Sequence, residues 1–316
     1  MKRALLVGID DYTNFNQLAG CVNDVTALAP LLARHEDASP NFECQIRTGD
    51  TGAVIRDELL EALDALLAPG IDVALFYFAG HGAEGGSDVT LVTTDGTKAS
   101  PGVKLSDVLT KVARSSVREI IVILDCCFSG AGGVPQLNTD VAGVRPGLSM
   151  LTASRGDQTS AETEAGRGLF STYLEGALDG GAADVVGKVT LAGLYSYLSE
   201  SFGAWEQRPI LKANVDQLHV LRQCKPAVPL EDIRRLPTLF PDAMEDLPLD
   251  PSYEPTEDPP DVQHEGDFSV LQRCRAAKLV DPVDAEHLYF AAMYSTACRL
   301  TPLGRHYRHQ AQRDRL

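Results

Sequence analysis

The chain lacks a hydrophobic run long enough to cross a bilayer. No stretch reaches 18 consecutive apolar residues, so no membrane-spanning helix is expected. It also lacks the regular cysteine spacing of a disulfide or metal framework. Cys21, Cys44, Cys126, Cys127, Cys224, Cys274 and Cys298 are odd in number, irregular in spacing and contain no C-x-x-C pair. That argues against a zinc ribbon or a redox dithiol and fits free thiols in a reducing compartment. Positive charge is scarce: the formal net charge is −16, which disfavours nucleic-acid binding by the whole protein and favours steering of basic partners. A secretory signal is missing too. The apolar run Ala4–Gly8 behind Lys2-Arg3 is too short and leads into Asp10-Asp11, so a cytoplasmic protein is expected.

What is present is a run of alternating elements. Short apolar segments at Ala4–Ile9, Val73–Phe78, Ile120–Leu124 and Leu148–Thr152 have the character of buried strands, with Phe42–Ile46 and Pro209–Leu211 as further candidates. Between them, helical spacing of apolar residues marks segments from Asn23 or Asp24, Ile55–Leu67, Leu105–Val112, Phe170–Leu178 and Leu191–Phe202. Such alternation predicts an α/β fold with a mostly parallel sheet flanked by helices on both faces.

The organisation predicted from composition is a domain over residues 1–225, an acidic proline-rich linker over 226–267 and a small basic, mainly helical module over 268–316. Pro229–Asp267 holds eight prolines and twelve acidic residues against Arg234 and Arg235 alone, a composition expected to stay extended. The last segment carries eight basic residues against four acidic ones. It contains a helical pattern at Ala285–Tyr294 and a capped helix start at Thr301-Pro302. A winged-helix-like nucleic-acid reader and a protein-interaction module are both open for it, and its histidines His287, His306 and His309 read as surface or core groups.

Ligand and catalytic groups in parallel α/β sheets gather beyond the carboxyl ends of the strands. Two such ends here carry reactive side chains, Gly80-His81-Gly82 and Asp125-Cys126-Cys127. A thiol attacks a carbonyl as its thiolate, with an imidazole to take the proton and return it to the leaving amine. Backbone donors must also face the developing oxyanion, and the N–H groups of Gly82 and Cys127 are the candidates. The turn that follows, Ser129–Gly133, is built from small residues.

These residues carry a resemblance. Tyr77-Phe-Ala-Gly-His-Gly82 resembles the histidine motif of caspases and metacaspases, and Asp125-Cys-Cys-Phe-Ser-Gly130 the D-x-C-x-S-G motif of metacaspases. The separation of 46 residues between His81 and Cys127 is close to the roughly 50 of caspases. Gly20-Cys-Val-Asn-Asp-Val25 resembles the early G-C-x-N-D segment of metacaspases. Thr152-Ala-Ser-Arg-Gly-Asp-Gln-Thr-Ser-Ala-Glu162 and Gly168-Leu-Phe170 resemble the strand and loop behind the catalytic cysteine. The likeness spans roughly residues 3–215.

The resemblance implies a cysteine endopeptidase with Cys127 as nucleophile and His81 as base. Asp125 aligns two positions before the nucleophile, which selects Cys127 over Cys126. It also implies that Cys21, Asp24 and Asp125 line the pocket for the residue before the scissile bond, so that cleavage follows Arg or Lys in protein and peptide substrates. Where the family has a serine two residues before the histidine, this chain has Ala79. Asp24 is alternatively a helix N-cap. Many metacaspases need calcium, but Asp88 and Asp95 do not complete a set of oxygen ligands, so no cofactor is expected. The resemblance further implies bacterial stress or defence signalling and a regulatory partner or upstream protease. Arg234 and Arg235 are the expected processing sites, because Arg145 is followed by Pro146. Two other functions remain on the table: a catalytically silent caspase-like scaffold, and a partner- or nucleic-acid-binding regulator acting through residues 268–316.

Overall fold

The structure is a computed structural model that describes residues 1–49, 52–85, 88–128, 145–153, 167–203, 209–215, 218–256 and 260–316; the side chains of residues 84, 85, 127 and 128 lie outside the description. The chain divides into two compact units. The first comprises Met1–Ala183 and Lys188–Lys225, the second Asp184–Gly187 and Pro226–Leu316.

The first unit is built from β1 (Lys2–Gly8), α1 (Cys21–Ala33), β2 (Glu43–Thr48), α2 (Arg56–Leu66), β3 (Val73–Gly85), β4 (Asp88–Val92), β5 (Gly102–Lys104), α3 (Leu105–Arg114), β6 (Glu119–Phe128), β7 (Leu148–Thr152), α4 (Leu169–Gly176), β8 (Lys188–Thr190), α5 (Leu191–Ser201), β9 (Ile210–Asn214) and β10 (Val220–Gln223). An eight-stranded sheet runs in the order β2-β1-β3-β6-β7-β9, extended by β4 and β5. Its pairs from β2 to β7 are parallel, and β9 is antiparallel to β7.

The central strands are apolar on both faces because both faces are covered. Alternation along each strand sorts the side chains. Leu5, Val7, Phe76, Phe78, Val122, Leu124 and Cys126 join the core under α2 and α3. Leu6, Leu75, Tyr77, Ala79, Ile121 and Ile123 join the core under α1, α4 and α5. The helices from Asn23, Ile55, Leu105, Phe170 and Leu191 and the central strands therefore lie where the periodicity predicts them.

The second unit contains α6 (Leu230–Leu239), β11 (Leu247–Pro248), α7 (Val262–Ala276), β12 (Val280–Val283), α8 (Leu288–Met293), β13 (Ala297–Leu300) and α9 (Pro302–Gln312). Strands β11, β13 and β12 form an antiparallel three-stranded sheet. Thr301 caps α9, its hydroxyl accepting from the N–H of Gly304 at 3.0 Å, as the sequence predicts.

This unit corrects the extended linker. Ile233, Leu236 and Phe240 of the expected linker share one apolar core with Phe268, Leu271, Cys274 and Leu279 of the expected module. Part of the acidic charge is paired rather than solvated: across that boundary Arg273 pairs with the buried Asp232 at 2.5 Å and Arg299 with Asp246 at 3.0 Å, and within the expected linker Arg235 pairs with Asp267. Composition summed along the chain cannot see contacts between segments, and the shared apolar core gives the acidic stretch the buried surface that its own composition lacks.

Candidate active site

The site lies at the carboxyl ends of β3 and β6. In their parallel ladder His81 is the register partner of Cys127, and Ala79 of Asp125, with neighbouring strands about 4.8 Å apart. Chain order alone separates this histidine and cysteine by a helix and two strands; the ladder brings them side by side. Cys126 is 5% exposed in the core under α2 and α3, which withdraws it from any substrate. The side chain of Cys127, the turn Ser129–Gly133 and the motif residues Ser154–Glu162 lie outside the described residues. Gly82 is buried in β3, where it pairs with Leu91 and Phe128.

The imidazole of His81 is held from three sides. Its Nε2 lies 2.8 Å from the carbonyl oxygen of Asn16. A carbonyl only accepts, so in the neutral ring Nε2 carries the proton and Nδ1 is the acceptor. The ring packs against Tyr12, with centroids 4.8 Å apart, and against Phe15 at 6.4 Å. The hydroxyl of Tyr12 accepts the backbone N–H of His81 at 2.9 Å. That close approach is what Gly80 permits, since a Cβ there would lie 2.6 Å from the Tyr12 hydroxyl. Burial, above all, keeps the Tyr12 hydroxyl protonated.

A second cluster surrounds Asp24 and Asp125. Helix α1 begins without a side-chain cap at Gly20. Its first amides are satisfied instead by Asp10, which accepts from Cys21 N at 2.8 Å and Val22 N at 3.2 Å. Asp24 is therefore not the cap; it lies one turn in, 2% exposed. Its Oδ2 accepts from Gly168 N at 3.3 Å. Asp125 accepts from the hydroxyls of Tyr77, at 3.3 Å, and of Ser171, and those hydroxyls are 2.6 Å apart. The carboxylates converge on Gly168: a Cβ there would lie 3.1 Å from Asp24 Oδ2, 3.4 Å from Asp125 Oδ2 and 3.8 Å from Ser171 Oγ.

Burial pushes the Asp125 carboxyl up to about 6, and the nearby Asp24 adds to the rise, against the opposing hydrogen bonds of Ser171 and Tyr77. Burial likewise raises Asp24, against the pull of Arg167 and Gly168. The Cys21 thiol beside them is kept neutral by burial first and then by Asp10, Asp125 and Asp24. Such a cluster favours a cation.

Other expectations fare differently. Asp88 caps α3, accepting from Ser106 N at 3.3 Å and Ser106 Oγ at 2.5 Å. Asp95 accepts from Arg56 N, at the start of α2, at 3.1 Å. Arg234 and Arg235 are not in an exposed extended segment. They lie in α6, where Arg234 donates to the carbonyl of Leu316 at 2.5 Å and Arg235 pairs with Asp267. A protease binds its substrate as an extended strand, so cleavage there would require unwinding the helix, and the processing expectation is withdrawn.

Sequence reasoning passed over Tyr12, Asn16, Arg167 and Ser171, and it quoted Tyr77 and Gly168 within motifs without giving either a role. Tyr77 had a signal: it is a polar-tipped residue in an apolar strand, with the same parity as His81. Asn16 acts through its backbone, and no residue type announces that.

A parallel sheet covered on both faces, with a histidine and a cysteine at the carboxyl ends of adjacent strands, is the frame of a caspase-type cysteine peptidase. The Caspase domain family matches residues 1–217, and the chain belongs to that family. It is 34% identical over 148 residues to Metacaspase-5 of Trypanosoma brucei brucei, covering 41% of this chain and 29% of that one. It is 28% identical over 220 residues to Metacaspase-3 of Trypanosoma cruzi, covering 57% and 59%. It thus spans less than two thirds of the length of these relatives. A solved structure of a Geobacter sulfurreducens protein superposes with a TM-score of 0.53 at 14% identity, covering 71% of this chain and 97% of that one, a likeness of fold. No helix among the described residues is long and apolar enough to cross a membrane.

Proposed function

We propose that the chain is a cysteine endopeptidase that cleaves after Arg or Lys through a Cys127–His81 dyad. The observation that carries the chemistry is the register pairing of His81 with Cys127 together with the fixed tautomer of His81. Nδ1 takes the thiol proton, the sulfur attacks the peptide carbonyl, and the N–H groups of Gly82 and Cys127 receive the oxyanion. Nδ1 then gives its proton to the leaving amine. Water hydrolyses the thioester and restores the thiol. The preference for a basic residue is supported by Asp24 and Asp125 converging beside Gly168, with Cys21 next to them. The odd number and irregular spacing of the cysteines support a cytoplasmic location. The resemblance to metacaspases supports signalling proteolysis, in a stress or defence response, as the setting.

The test is turnover of fluorogenic peptides that differ only in their last residue, Arg, Lys or Asp, by the full chain and its Cys127→Ala variant. Arg and Lys peptides are expected to be cut and the Asp peptide left intact, with no turnover by the variant. Equal turnover of Asp and Arg peptides would reject the specificity, and undiminished turnover by Cys127→Ala would reject the dyad.

A further inference from the structure

The carboxylates on which the proposed specificity rests already hold a cation. Arg167, the residue before Gly168, directs its Nε to Asp24 Oδ1 at 3.1 Å and its Nη1 to Glu175 of α4. The Asp24 side chain is 3% exposed and that of Arg167 18%, so this pair is shielded from solvent, and losing its cation without a replacement leaves a buried carboxylate uncompensated. Gly168 holds the other oxygen of Asp24 through its N–H and has Asp125 and Ser171 across its Cα. A guanidinium of the chain itself therefore occupies the carboxylate cluster that a substrate's basic side chain has to reach.

Physical chemistry requires some such group. Two carboxylates taken out of water close together are costly unless a cation joins them or one is protonated. In the free protein Arg167 is that cation for Asp24. Two cations cannot both take the Asp24 Oδ1 position, so a bound Arg or Lys exchanges one ion pair for another. Its net gain is a difference and not the full value of the pair.

We propose that Arg167 is a specificity-determining residue: it fills the Asp24 side of the acidic pocket in place of a substrate's basic side chain and is displaced when that side chain binds. This rests on the reading of Asp24 and Asp125 as the substrate pocket. Glu175, whose carboxylate is 36% exposed, remains a partner for Arg167 after displacement. Substrates with an uncharged residue at this position leave Arg167 where it is. Arg167 thereby narrows the advantage of basic over neutral substrates.

The experiment compares the full chain with its Arg167→Gln and Arg167→Lys variants on two peptides that end in Arg or in Gln. Removing the competitor should lower KM for the Arg peptide about tenfold, roughly the worth of one charge-assisted contact. The value of kcat and the kinetics of the Gln peptide should stay unchanged, and Arg167→Lys should fall back toward the parent. An ion pair that merely holds α1 to α4 gives the opposite, a lower kcat and an equal or higher KM for both peptides, and that result overturns the proposal. A second measurement needs no turnover: calorimetric binding of acetyl-arginine amide to the Cys127→Ala chain with and without Arg167→Gln. Tighter binding in the double variant upholds the competition even if the parent proves inactive on peptides, which would sink the proposed activity alone. Equal or weaker binding overturns the competition, whatever the parent cleaves.

Discussion

The Nε2 of His81 and the carbonyl oxygen of Asn16 are 2.8 Å apart, and this contact leaves Nδ1 of the proposed catalytic base as the nitrogen that can accept a proton. Because it is made by backbone, substitution of the Asn16 side chain leaves it intact. Asn16→Ala is expected to retain kcat within about twofold, as replacements away from named interactions usually do. A drop of more than tenfold in peptide turnover would show that the Asn16 side chain itself takes part.

The adjacent cysteines separate cleanly. Cys127→Ala is expected to abolish turnover, since no other group replaces the thiolate. Cys126→Ala removes only a buried sulfur, at a cost of about 1–2 kcal/mol by analogy with other large-to-small core changes, and should keep most of the activity. Chemical denaturation beside peptide kinetics checks both. A dead but folded Cys126→Ala protein would overturn the assignment of the nucleophile.

Tyr12→Phe removes the acceptor of the His81 backbone N–H while keeping the ring that packs on the imidazole. A part-buried donor left without its partner costs about 1–3 kcal/mol. With the histidine backbone less firmly held, kcat should fall about tenfold with KM unchanged, because only the alignment of the base is affected. A lowered melting temperature with unaltered kcat would reduce Tyr12 to a structural role.

The helical, ion-paired setting of Arg234 and Arg235 predicts resistance to proteolysis. Under native conditions trypsin should cut the full chain at these arginines no faster than the second unit unfolds, read by mass spectrometry of timed digests. Immediate cleavage at Arg234 or Arg235 would contradict their place in α6. Arg145 should resist as well, since its guanidinium donates to the carbonyls of Val112 and Ser115 at 2.8 and 2.6 Å.

What the sequence made legible follows from physical scale. Ala4–Ile9, Val73–Phe78 and Ile120–Leu124 could be read as central strands because burial on both faces leaves uninterrupted apolar runs. The helices between them could be read because one face of each is buried. Helix α6 could not: Pro237 lies inside it, and its buried Asp232 finds its cation, Arg273, in α7. The site divides the same way. His81 and Cys127 stand at strand ends and announce themselves by residue type. Arg167 and Ser171 join the carboxylates only through the packing of α4 against α1, at sequence distances of 143 residues to Asp24 and 46 to Asp125, which no local pattern encodes.

The raised carboxyl of Asp125 gives the remaining prediction, and its two consequences run in opposite directions. The ordinary value for an aspartate is 3.8, and burial beside Asp24 lifts this one to about 6. Between those values the folded protein keeps a proton that the unfolded chain has released. The contribution to stability is thus full below about pH 4 and is lost as pH rises through 6, up to about 3 kcal/mol. Asp125→Asn, which stays neutral, should therefore melt higher than the parent at pH 7.5, and the difference should shrink as pH falls below 6. Binding of a basic substrate needs the opposite form. For an Arg peptide KM should rise as pH drops through 6, while for a Gln peptide it should not, which separates Asp125 from any titration of the base, shared by both substrates. In Asp125→Asn the KM for the Arg peptide should be raised and independent of pH in this range. An Arg-peptide KM flat from pH 5 to 7.5 in the parent would show that Asp125 does not meet the substrate's charge.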